Sequence, residues 1–394
     1  MAMAMGQAAL SKPRWHVVLA SRALLAVRGA DARSFLQGLV TNDMTAVAPG
    51  APAHAAFLNR QGRVLFDALI SAPEPSQVSY LLDCDRLVRP ALHAHLRKFR
   101  LRADVDFDEV DADDRSIVVL SGPEHVASDV ASLVRQLAGV PGSMIARDPR
   151  RAELGYRAIV PTAALHTGAL SAEGSCEIDG GAHEVCRLLL GCAEGADDLP
   201  PGEALPLESN LDMHRAISFS KGCYLGQELT ARTHFTGVVR KRLLPVVRLG
   251  PGSEPATADA IGEWPVGLSH LPGWCKQPAA ARALRRLDEL PGGASAHICA
   301  PSSPVSLCGD GGSSLGKLRS SAYGTFGLAL LRFETLLEDE GAELACTPES
   351  GGEGGTGAAE GIRLRAILPP WVRPAIPSAA VSYTHLRAHE TRHD

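Results

Sequence analysis

The sequence predicts an α+β protein of two or three domains that ends in a small β-barrel. The chain has 394 residues, which exceeds the length of one ordinary domain. In residues 22–139, strand-like apolar runs alternate with stretches of helical periodicity. Near the C-terminus, residues 312–336 contain short strands separated by glycine turns, a pattern typical of a small barrel.

The first unit is predicted from apolar runs that change between strand and helix character. Its predicted elements are a strand, turn and helix in 22–43, a hairpin in 55–72 that turns at 59–62, a strand in 80–85 and a helix in 86–105 that begins near Pro90. In this last helix Leu92, Leu96 and Phe99 share one face. That face is therefore expected to pack on the sheet.

A second unit and a C-terminal unit follow. The second opens with a strand in 115–122 and a helix in 124–139, continues with a strand in 153–161, and is followed by a helix in 183–195 that ends near Gly191. The C-terminal unit is loop-rich over 248–274 and around 291–304, and residues 362–369 form its closing strand. We interpret the loop-rich part as an insertion.

Composition excludes several classes of function. The net charge of −5 gives no global reason to expect nucleic-acid binding, and only 5% aromatic residues disfavour a base-stacking platform. No apolar stretch reaches the roughly 18 residues of a membrane span. The nine cysteines include no C-x-x-C pair, which argues against a zinc ribbon or a thioredoxin-like site. Their scattered placement suits free thiols in a reducing compartment.

The two ends of the chain differ from the rest. The N-terminus carries Lys12, Arg14, Arg22 and Arg28 with no acidic residue before Asp31, as in an organellar transit segment. The alternative is a frayed end followed by a first strand. The last 14 residues are polar and continue no earlier pattern. Their three histidines, His385, His389 and His393, have a spacing that would place them on one helix face. We interpret this tail as an artefact rather than a metal site.

The segment SFSKGCYLGQELTARTHFTGVVRKR, residues 218–242, places Cys223 in a basic stretch. Between Asp212 and Glu254 the only acidic residue is Glu228, whereas seven residues are Lys or Arg. A helix is predicted to begin near Gly226, with Glu228 in its first turn. Nearby cations and a helix N-terminus both favour a thiolate, so we expect Lys221 and this helix to lower the pKa of Cys223.

Three roles for Cys223 follow from the residues alone. As a nucleophile it needs a base, for which His214 and His234 are the local candidates, although neither has an evident Asp or Asn partner. As an iron–sulfur ligand it needs further thiolates, which another chain or a small thiol would supply. As a structural cysteine it would be buried. Gly222 and Gly226 predict a tight turn, and the basic tract is either a solvated face or an anion site.

Residues 221–228, K-G-C-Y-L-G-Q-E, resemble the K-G-C-Y-x-G-Q-E signature of the YgfZ/GcvT-type folate-binding family. This family includes relatives of the T-protein of the glycine cleavage system. Residues 194–246 resemble its mitochondrial branch throughout, and FLQGLVTND (35–43), FLNRQGRVLFD (57–67), LRKFRLRADV (96–105) and DPRRAELGYR (148–157) match further landmarks. The resemblance covers about residues 20–247 and returns weakly at 313–332.

The resemblance implies a GcvT-like fold of three domains around a central channel, with a small C-terminal β-barrel. The implied segments are a leader or transit segment 1–19, a discontinuous folate-binding-like domain 20–114 and 180–245, an inserted α/β domain 115–179, a C-terminal barrel-like domain 246–372 with a loop insertion 254–311, and a tail 373–394 that is disordered or artefactual. The channel is expected to bind tetrahydrofolate.

The resemblance also implies a role in iron–sulfur cluster maturation in the mitochondrial matrix. A non-enzymatic assembly factor of transferase-like fold would support 4Fe–4S proteins together with an A-type scaffold protein, with Cys223 as ligand of a shared 2Fe–2S cluster. Motif support is expected from Lys221, Gly222, Tyr224, Gly226, Gln227 and Glu228. Folate or anion contacts are expected from Arg232, Arg240, Lys241, Asn59, Arg63 and Asp67, with Asn42 and Asp43 as further channel-lining residues. For Asn42, Asp43, Asn59, Arg63 and Asp67 the alternative is turn and cap chemistry.

One departure from the family bears on its alternative function, folate-dependent aminomethyl transfer. The T-protein relatives have a folate-contacting glutamate in an R-L-E-A-G segment. Here the corresponding residues are Arg187-Leu188-Leu189-Leu190-Gly191, with a leucine at the place of the acid. A leucine cannot accept hydrogen bonds from a pterin ring, so the sequence favours the assembly factor over the transferase.

Overall fold

The computed structural model contains two five-stranded sheets and a closed six-stranded barrel, joined by short helices. It describes residues 14–73, 79–121, 127–167, 170, 175–177, 180–249, 298–308, 314–322, 324–339, 342–347, 362–370 and 372. The leader up to residue 13, most of the insertion 254–311 and the tail 373–394 with its three histidines lie outside these residues.

The strands are β1 Arg14–Val18, β2 Arg22–Arg28, β3 Ala53–Leu58, β4 Val64–Ser71, β5 Ser79–Asp85, β6 Asp106–Val110, β7 Arg115–Ser121, β8 Met144–Arg147, β9 Tyr156–Pro161, β10 Ser175–Glu177, β11 Lys241–Arg248, β12 Pro304–Leu307, β13 Ser314–Ala322, β14 Phe326–Arg332, β15 Glu343–Cys346 and β16 Ile362–Ala366. The α-helices are α1 Ala32–Gln37, α2 Arg89–Phe99, α3 Ala127–Ala138, α4 Thr162–His166, α5 Gly180–Leu189, α6 Gly195–Asp198, α7 Gln227–Thr236 and α8 Phe333–Glu338.

The first sheet has the antiparallel order β3-β4-β5-β2-β6. Its β3–β4 hairpin turns at residues 59–62, as expected from the sequence. Helix α2 starts with Pro90 in its first turn and buries Leu92 and Leu96, which pack into the core of this sheet. Burying each leucine contributes roughly 1.5–3 kcal/mol, so the helix packs with this apolar face on the sheet. The same face is visible in the sequence, and it located the helix correctly.

The second sheet has the order β10-β1-β7-β9-β8. Strand β1 pairs antiparallel with β7 through Trp15–Val18 and parallel with β10. The sequence analysis assigned residues 1–19 to a leader, but Arg14–Val18 lies inside this sheet and Trp15 is 1% exposed. This part of the leader assignment differs from the structure. Residues 14–18 belong to a basic N-terminal stretch, but their sequence RWHVV is also suited to a β-strand.

The barrel closes in the order β11-β14-β13-β12-β15-β16. It begins at Lys241, five residues before the boundary at 246 expected from the sequence, because residues 241–248 form one continuous strand paired with β14. Strand β12, residues 304–307, also falls within the segment 254–311 that the sequence analysis treated as an insertion. Pairing of β12 with β13 and β15 places it in the barrel wall.

The three units meet along the segment 180–199. Helix α5 packs against β1 and the barrel strand β14, and α6 packs against β4, β5 and β13. Asp198 in α6 accepts hydrogen bonds from the Arg187 guanidinium of α5 and from the Ser320 hydroxyl of the barrel. One apolar cluster extends through all three units and includes Trp15, Leu188 and Phe326. The segment that follows, including the Cys223 loop, is therefore attached to a continuous core.

The described helices contain none that is both long and apolar enough to cross a membrane.

Candidate functional site: the Cys223 loop

Cys223 lies on the loop of residues 218–226, which leads into helix α7, and its side chain is exposed. Among the described residues, Cys308 is the other exposed cysteine. The remaining described cysteines, Cys84, Cys186, Cys192, Cys299 and Cys346, are buried. Burial raises the pKa of Cys84, Cys186 and Cys192 to about 12, so these thiols stay protonated. Exposure excludes the interpretation of Cys223 as a buried structural cysteine.

Lys221 fastens this loop to the first unit. Its ammonium donates three hydrogen bonds to main-chain carbonyls, of Gln37 at 2.8 Å, Val40 at 2.7 Å and Asn42 at 2.7 Å. These carbonyls follow helix α1, where the main chain leaves its last turn. Burial lowers the pKa of Lys221 to about 8, and the Asp43 carboxylate opposes that shift in part. Lys221 thus supplies a donor for the Gln37 carbonyl at the helix end and for two carbonyls of the segment that follows it.

This arrangement gives Lys221 a structural role that the sequence did not predict. The sequence analysis expected Lys221 to stabilise a thiolate at position 223. All three of its N–H donors are instead directed at carbonyls of the 37–42 segment. Helix α7 starts at Gln227, four residues after Cys223, and the field of a helix end falls off within one turn. Lys221 therefore positions the loop.

The two residues that follow Cys223 anchor the loop to different cores. Tyr224 packs against the apolar cluster between the units, and Leu225 packs against the core of the first sheet. Burial raises the pKa of Tyr224 to about 12, so its phenol remains neutral. The Leu225 amide donates to the Gly38 carbonyl at 3.0 Å, and the Tyr224 amide donates to Oε1 of Gln227 at 3.0 Å. Cys223 is thus the exposed residue next to two fixed neighbours.

Gly226 is required by both its dihedral angle and its contacts. Its φ is +79°, and a Cβ there would lie 2.2 Å from the Asn59 carbonyl oxygen. Gly62 in the same β3–β4 turn also has a positive φ of +77°, and its own Cβ would meet the Leu229 side chain at 2.9 Å. The two turns therefore contact each other closely at these two glycines, and a side chain at either position would prevent that contact.

Gly222 has no such restriction, contrary to the expectation that both glycines form the tight turn. Nothing lies within 4 Å of a Cβ at position 222. Together with the exposed side chain of Cys223, this leaves open space on the side of the loop that faces away from the protein.

Neither candidate base pairs with Cys223. His214 is 1% exposed, its Nε2 lies 2.9 Å from the Gly191 carbonyl, and its Nδ1 lies 3.6 Å from Sγ of Cys192. Burial lowers the pKa of His214 to about 3. His234 stacks on the Phe219 ring with 3.5 Å between ring centroids. Within the described part of the chain no histidine nitrogen is within hydrogen-bond distance of Cys223, so the nucleophile interpretation lacks its base.

The residues expected to contact folate lie in four different places. Asn59 stabilises the hairpin turn, where its Oδ1 accepts from the Gln61 and Arg63 amides, both at 3.0 Å. Arg63 is exposed and donates to the Glu203 carbonyl at 2.7 Å. Asn42 donates to the His54 and Arg215 carbonyls, which makes it a structural bridge. These contacts fit the alternative of turn and cap chemistry.

Asp67 belongs to a buried ion cluster. It is 2% exposed, accepts from the Gly195 amide at 2.9 Å, and lies 3.8 Å from the Arg22 guanidinium. Burial raises the pKa of Asp67, but Arg22 and then His54 outweigh burial and lower it below its usual value. The cluster continues through Asp83, Arg157, Glu194, Arg150 and Asp148. Because protein groups already surround Asp67, it is not available as an open channel-lining acid.

Arg240 and Lys241 line a cavity of about 470 Å³ between α7, the 205–208 segment and the barrel. Its lining residues are Leu205, Pro206, Leu207, Glu208, Leu229, Thr230, Thr233, Val238, Val239, Arg240, Lys241, Arg332 and Glu334. Burial raises the pKa of Glu208, which Lys241 and then Arg319 oppose. Arg232 and Glu228 lie elsewhere, on the exposed side of α7.

Sequence reasoning missed Glu208 and the 37–42 carbonyls. Glu208 lies about 30 residues before Lys241 in an apparently ordinary loop, and no local pattern links the two. The carbonyls are main-chain groups about 180 residues from Lys221, so no side-chain pattern reports them. The one available signal was the match of residues 35–43 to a family landmark.

Among the described residues no group of three or more His, Cys, Asp or Glu side chains is placed to hold a metal ion. Cys223 therefore has no set of neighbouring ligands within this part of the chain.

Comparison with known proteins agrees with this architecture. Residues 240–374 match the family described as CAF17, C-terminal beta-barrel domain, which coincides with the barrel from β11 onward. A solved glycine cleavage system aminomethyltransferase T from Bartonella henselae aligns over 92% of this chain and 87% of its own, with a TM-score of 0.61 and 14% identity. At that identity the likeness shows the fold alone. The α+β, GcvT-like fold with a C-terminal barrel is therefore confirmed.

Curated relatives align over much of the chain. The human iron-sulfur cluster assembly factor IBA57, mitochondrial, is 44% identical over 249 residues, which are 59% of this chain and 66% of the human protein. The Mus musculus protein of the same name is 40% identical over 64% of this chain and 75% of its own length. The Coccidioides immitis homolog is 32% identical over 92% of this chain and 84% of its own length.

Proposed function

Because this chain belongs to the family of mitochondrial iron–sulfur cluster assembly factors named IBA57, we propose that it matures iron–sulfur clusters through the exposed thiol of Cys223. The relatives are named mitochondrial, which confirms the mitochondrial placement expected from the sequence. The proposed cargo is a 2Fe–2S cluster that Cys223 shares with a partner, and the proposed partner is an A-type scaffold protein that supports 4Fe–4S targets.

The observation that carries this proposal is the exposure of Cys223 on a fixed loop. Lys221 and Gly226 hold the residues around it, while the side chain itself faces open space. A cluster typically takes four protein ligands, and the described residues supply one thiol here. The remaining ligands would come from the partner, so the site suits transfer or joint holding of a cluster.

Anaerobic reconstitution with an A-type scaffold protein tests the ligand role. Wild type and Cys223→Ser are mixed with the scaffold, ferric iron and sulfide, and the visible absorbance of the isolated complex is recorded. Cys308→Ser is the matched control, because Cys308 is also exposed but lies in the barrel. We expect cluster absorbance for wild type and Cys308→Ser and its loss for Cys223→Ser. Equal absorbance in all three proteins would exclude Cys223 as a ligand.

Tetrahydrofolate binding is proposed at the cavity lined by Arg240 and Lys241. Its residues fit the chemistry of the ligand, since Glu208 offers an acceptor for pterin N–H groups and Arg240, Lys241 and Arg332 offer donors for the glutamate carboxylates. The volume of about 470 Å³ lies in the usual range for small-molecule sites. When bound, the folate would act as a modulator next to α7.

Calorimetric titration with tetrahydrofolate tests this placement. Removing one charge-assisted contact with Arg240→Ala should weaken binding about tenfold, since such bonds contribute about 1.5 kcal/mol or more. Arg97→Ala, on the exposed side of α2, is the control and should bind like wild type. Equal affinities for the two variants would place the folate elsewhere.

Aminomethyl transfer receives no support from the site. Leu189, at the place of the folate-contacting glutamate, is 1% exposed within the apolar cluster between the units. Residue 189 therefore offers no carboxylate to a methylene-bearing folate.

A further inference from the structure

Next to Cys223, helix α7 exposes an apolar and cationic surface that the cluster-ligand role does not use. Phe235 is 68% exposed and Val238 is 51% exposed. Single exposed apolar residues are common on proteins. These two are three positions apart at the C-terminal end of α7, the helix into which the Cys223 loop leads, so they form an apolar patch at that end of the helix.

The Phe235 ring is held in place before any partner arrives. His234 stacks on Phe219 at 3.5 Å with 9° between the ring planes. Phe235 contacts His234 edge-on at 4.9 Å and Phe219 edge-on at 6.3 Å. A ring fixed by its neighbours loses little conformational entropy on binding, which is the property of an interface anchor.

Helix geometry relates this anchor to the start of α7, which directly follows the Cys223 loop. Glu228, Arg232 and Phe235 are exposed and have i, i+4, i+7 spacing, so they share one face of α7. With a rise of 1.5 Å per residue, Phe235 lies about 12 Å along the axis from the start of the helix. We call Glu228, Arg232 and Phe235, together with Val238 just after the helix, the α7 stripe. Val238 also lines the cavity beside α7. One partner surface of ordinary size can cover the stripe and Cys223 together.

The charge of this surface selects the chemistry of the partner. Glu228 is the only acid between Asp212 and Glu254. Arg232 and Arg240 are exposed, and within the described residues no carboxylate lies within ion-pair distance of either. Of the two, Arg240 also lines the cavity proposed for folate, so Arg232 is the cation that belongs to the stripe alone. The chain as a whole carries −5, so this region is a local exception. An acidic surface with an apolar depression for Phe235 is its complement.

We propose that the α7 stripe is the docking surface for the cluster-sharing protein, which meets it with acidic side chains around an apolar pocket that receives Phe235. This inference rests on the proposed function and adds to it the residues that select the partner. Docking along α7 would bring the partner's thiolates to the open side of Cys223, where Gly222 leaves room for their approach.

Affinity measurements test the docking surface separately from the cluster ligand. The dissociation constant for the apo A-type scaffold is measured for wild type, Phe235→Ser, Arg232→Glu and the control Leu87→Ser. Leu87 is 82% exposed but lies between β5 and α2. We expect Phe235→Ser to weaken binding at least tenfold, as for an anchor residue, and Leu87→Ser to leave it unchanged. Arg232→Glu should weaken binding most at low salt, because exposed charges are screened at high salt.

A second readout separates failure of this inference from failure of the proposed function. At saturating scaffold, Phe235→Ser and Arg232→Glu should still form the shared cluster, whereas Cys223→Ser should bind the scaffold but form none. Wild-type affinity in both stripe variants would overturn the docking surface, even if Cys223→Ser abolished the cluster. Sedimentation with anionic phospholipid vesicles that depends on Phe235, with unchanged scaffold affinity, would also overturn it, by assigning the stripe to a membrane surface.

Discussion

Replacing Gly226 with alanine should release the Cys223 loop from the hairpin beneath it. The new Cβ would lie 2.2 Å from the Asn59 carbonyl oxygen and 2.8 Å from Leu58 Cβ, so main chain has to move. A left-handed backbone at a non-glycine residue costs about 1–2 kcal/mol. Overpacking against a fixed neighbour costs about 1–3 kcal/mol more. The expected loss of stability is therefore about 3 kcal/mol.

Two other glycines separate the contributions to this loss. Gly202 has a φ of +78° with nothing within 4 Å of its Cβ, so Gly202→Ala measures the dihedral strain alone and should cost about 1 kcal/mol. Gly222 is adjacent to Cys223 and has neither a positive φ nor a contact, so Gly222→Ala should change stability by less than about 0.5 kcal/mol.

Urea denaturation followed by circular dichroism gives the midpoints for the three variants and wild type. A local assay accompanies it, the rate at which a maleimide labels Cys223 relative to Cys308. We expect Gly226→Ala to have the lowest urea midpoint. Its labelling rate should change at Cys223 and stay the same at Cys308. If Gly226→Ala loses no more stability than Gly202→Ala, the close approach of the two turns is not a constraint, and the explanation of how Cys223 is positioned is refuted.

Three further predictions concern charges inside the protein. Lys221→Met leaves three carbonyls without their donor and should destabilise the protein by about 2 kcal/mol. Amide hydrogen exchange in residues 37–42 should become faster, and unchanged exchange there would contradict the role of Lys221. Burial lowers the pKa of His183 and His214 from 6.5 to about 3, so between these pH values the unfolded chain binds more protons than the folded protein. The free energy of unfolding should therefore fall below pH 6.5, by up to about 1.4 kcal/mol per pH unit for each histidine. A urea midpoint that stays constant between pH 7 and 5 would exclude this effect. Asp83→Asn leaves the buried guanidinium of Arg157 without its main partner and should lower the free energy of unfolding, measured by heat and urea, by about 3–5 kcal/mol. Asp108→Asn, in an exposed ion pair, should lower it by less than about 1 kcal/mol. Equal losses of stability in the two variants would refute the importance of the buried network.

Regular elements were predictable from the sequence where their pattern is local. Leu92 and Leu96 locate α2, and the Asn59–Gly62 turn locates the β3–β4 hairpin, because side chains two or four positions apart decide these elements. Strand β1 and the start of the barrel were misplaced, since pairing with β7 and β14 decides where those strands begin and end. The sequence left open whether Cys223 is exposed or buried, and it did not predict the partners of Lys221.

The sequence by itself determined the α+β character of the chain, the hairpin turn and the eight-residue motif around Cys223, because each is written in neighbouring residues. Only the tertiary structure decided that Lys221 holds carbonyls far away in the chain, that Asp67 lies in a buried ion cluster, and that Arg240 and Lys241 face Glu208 across a cavity. Such contacts join segments up to about 180 residues apart. They arise from how three units pack on one core, and packing leaves no periodic trace in the residues that it brings together.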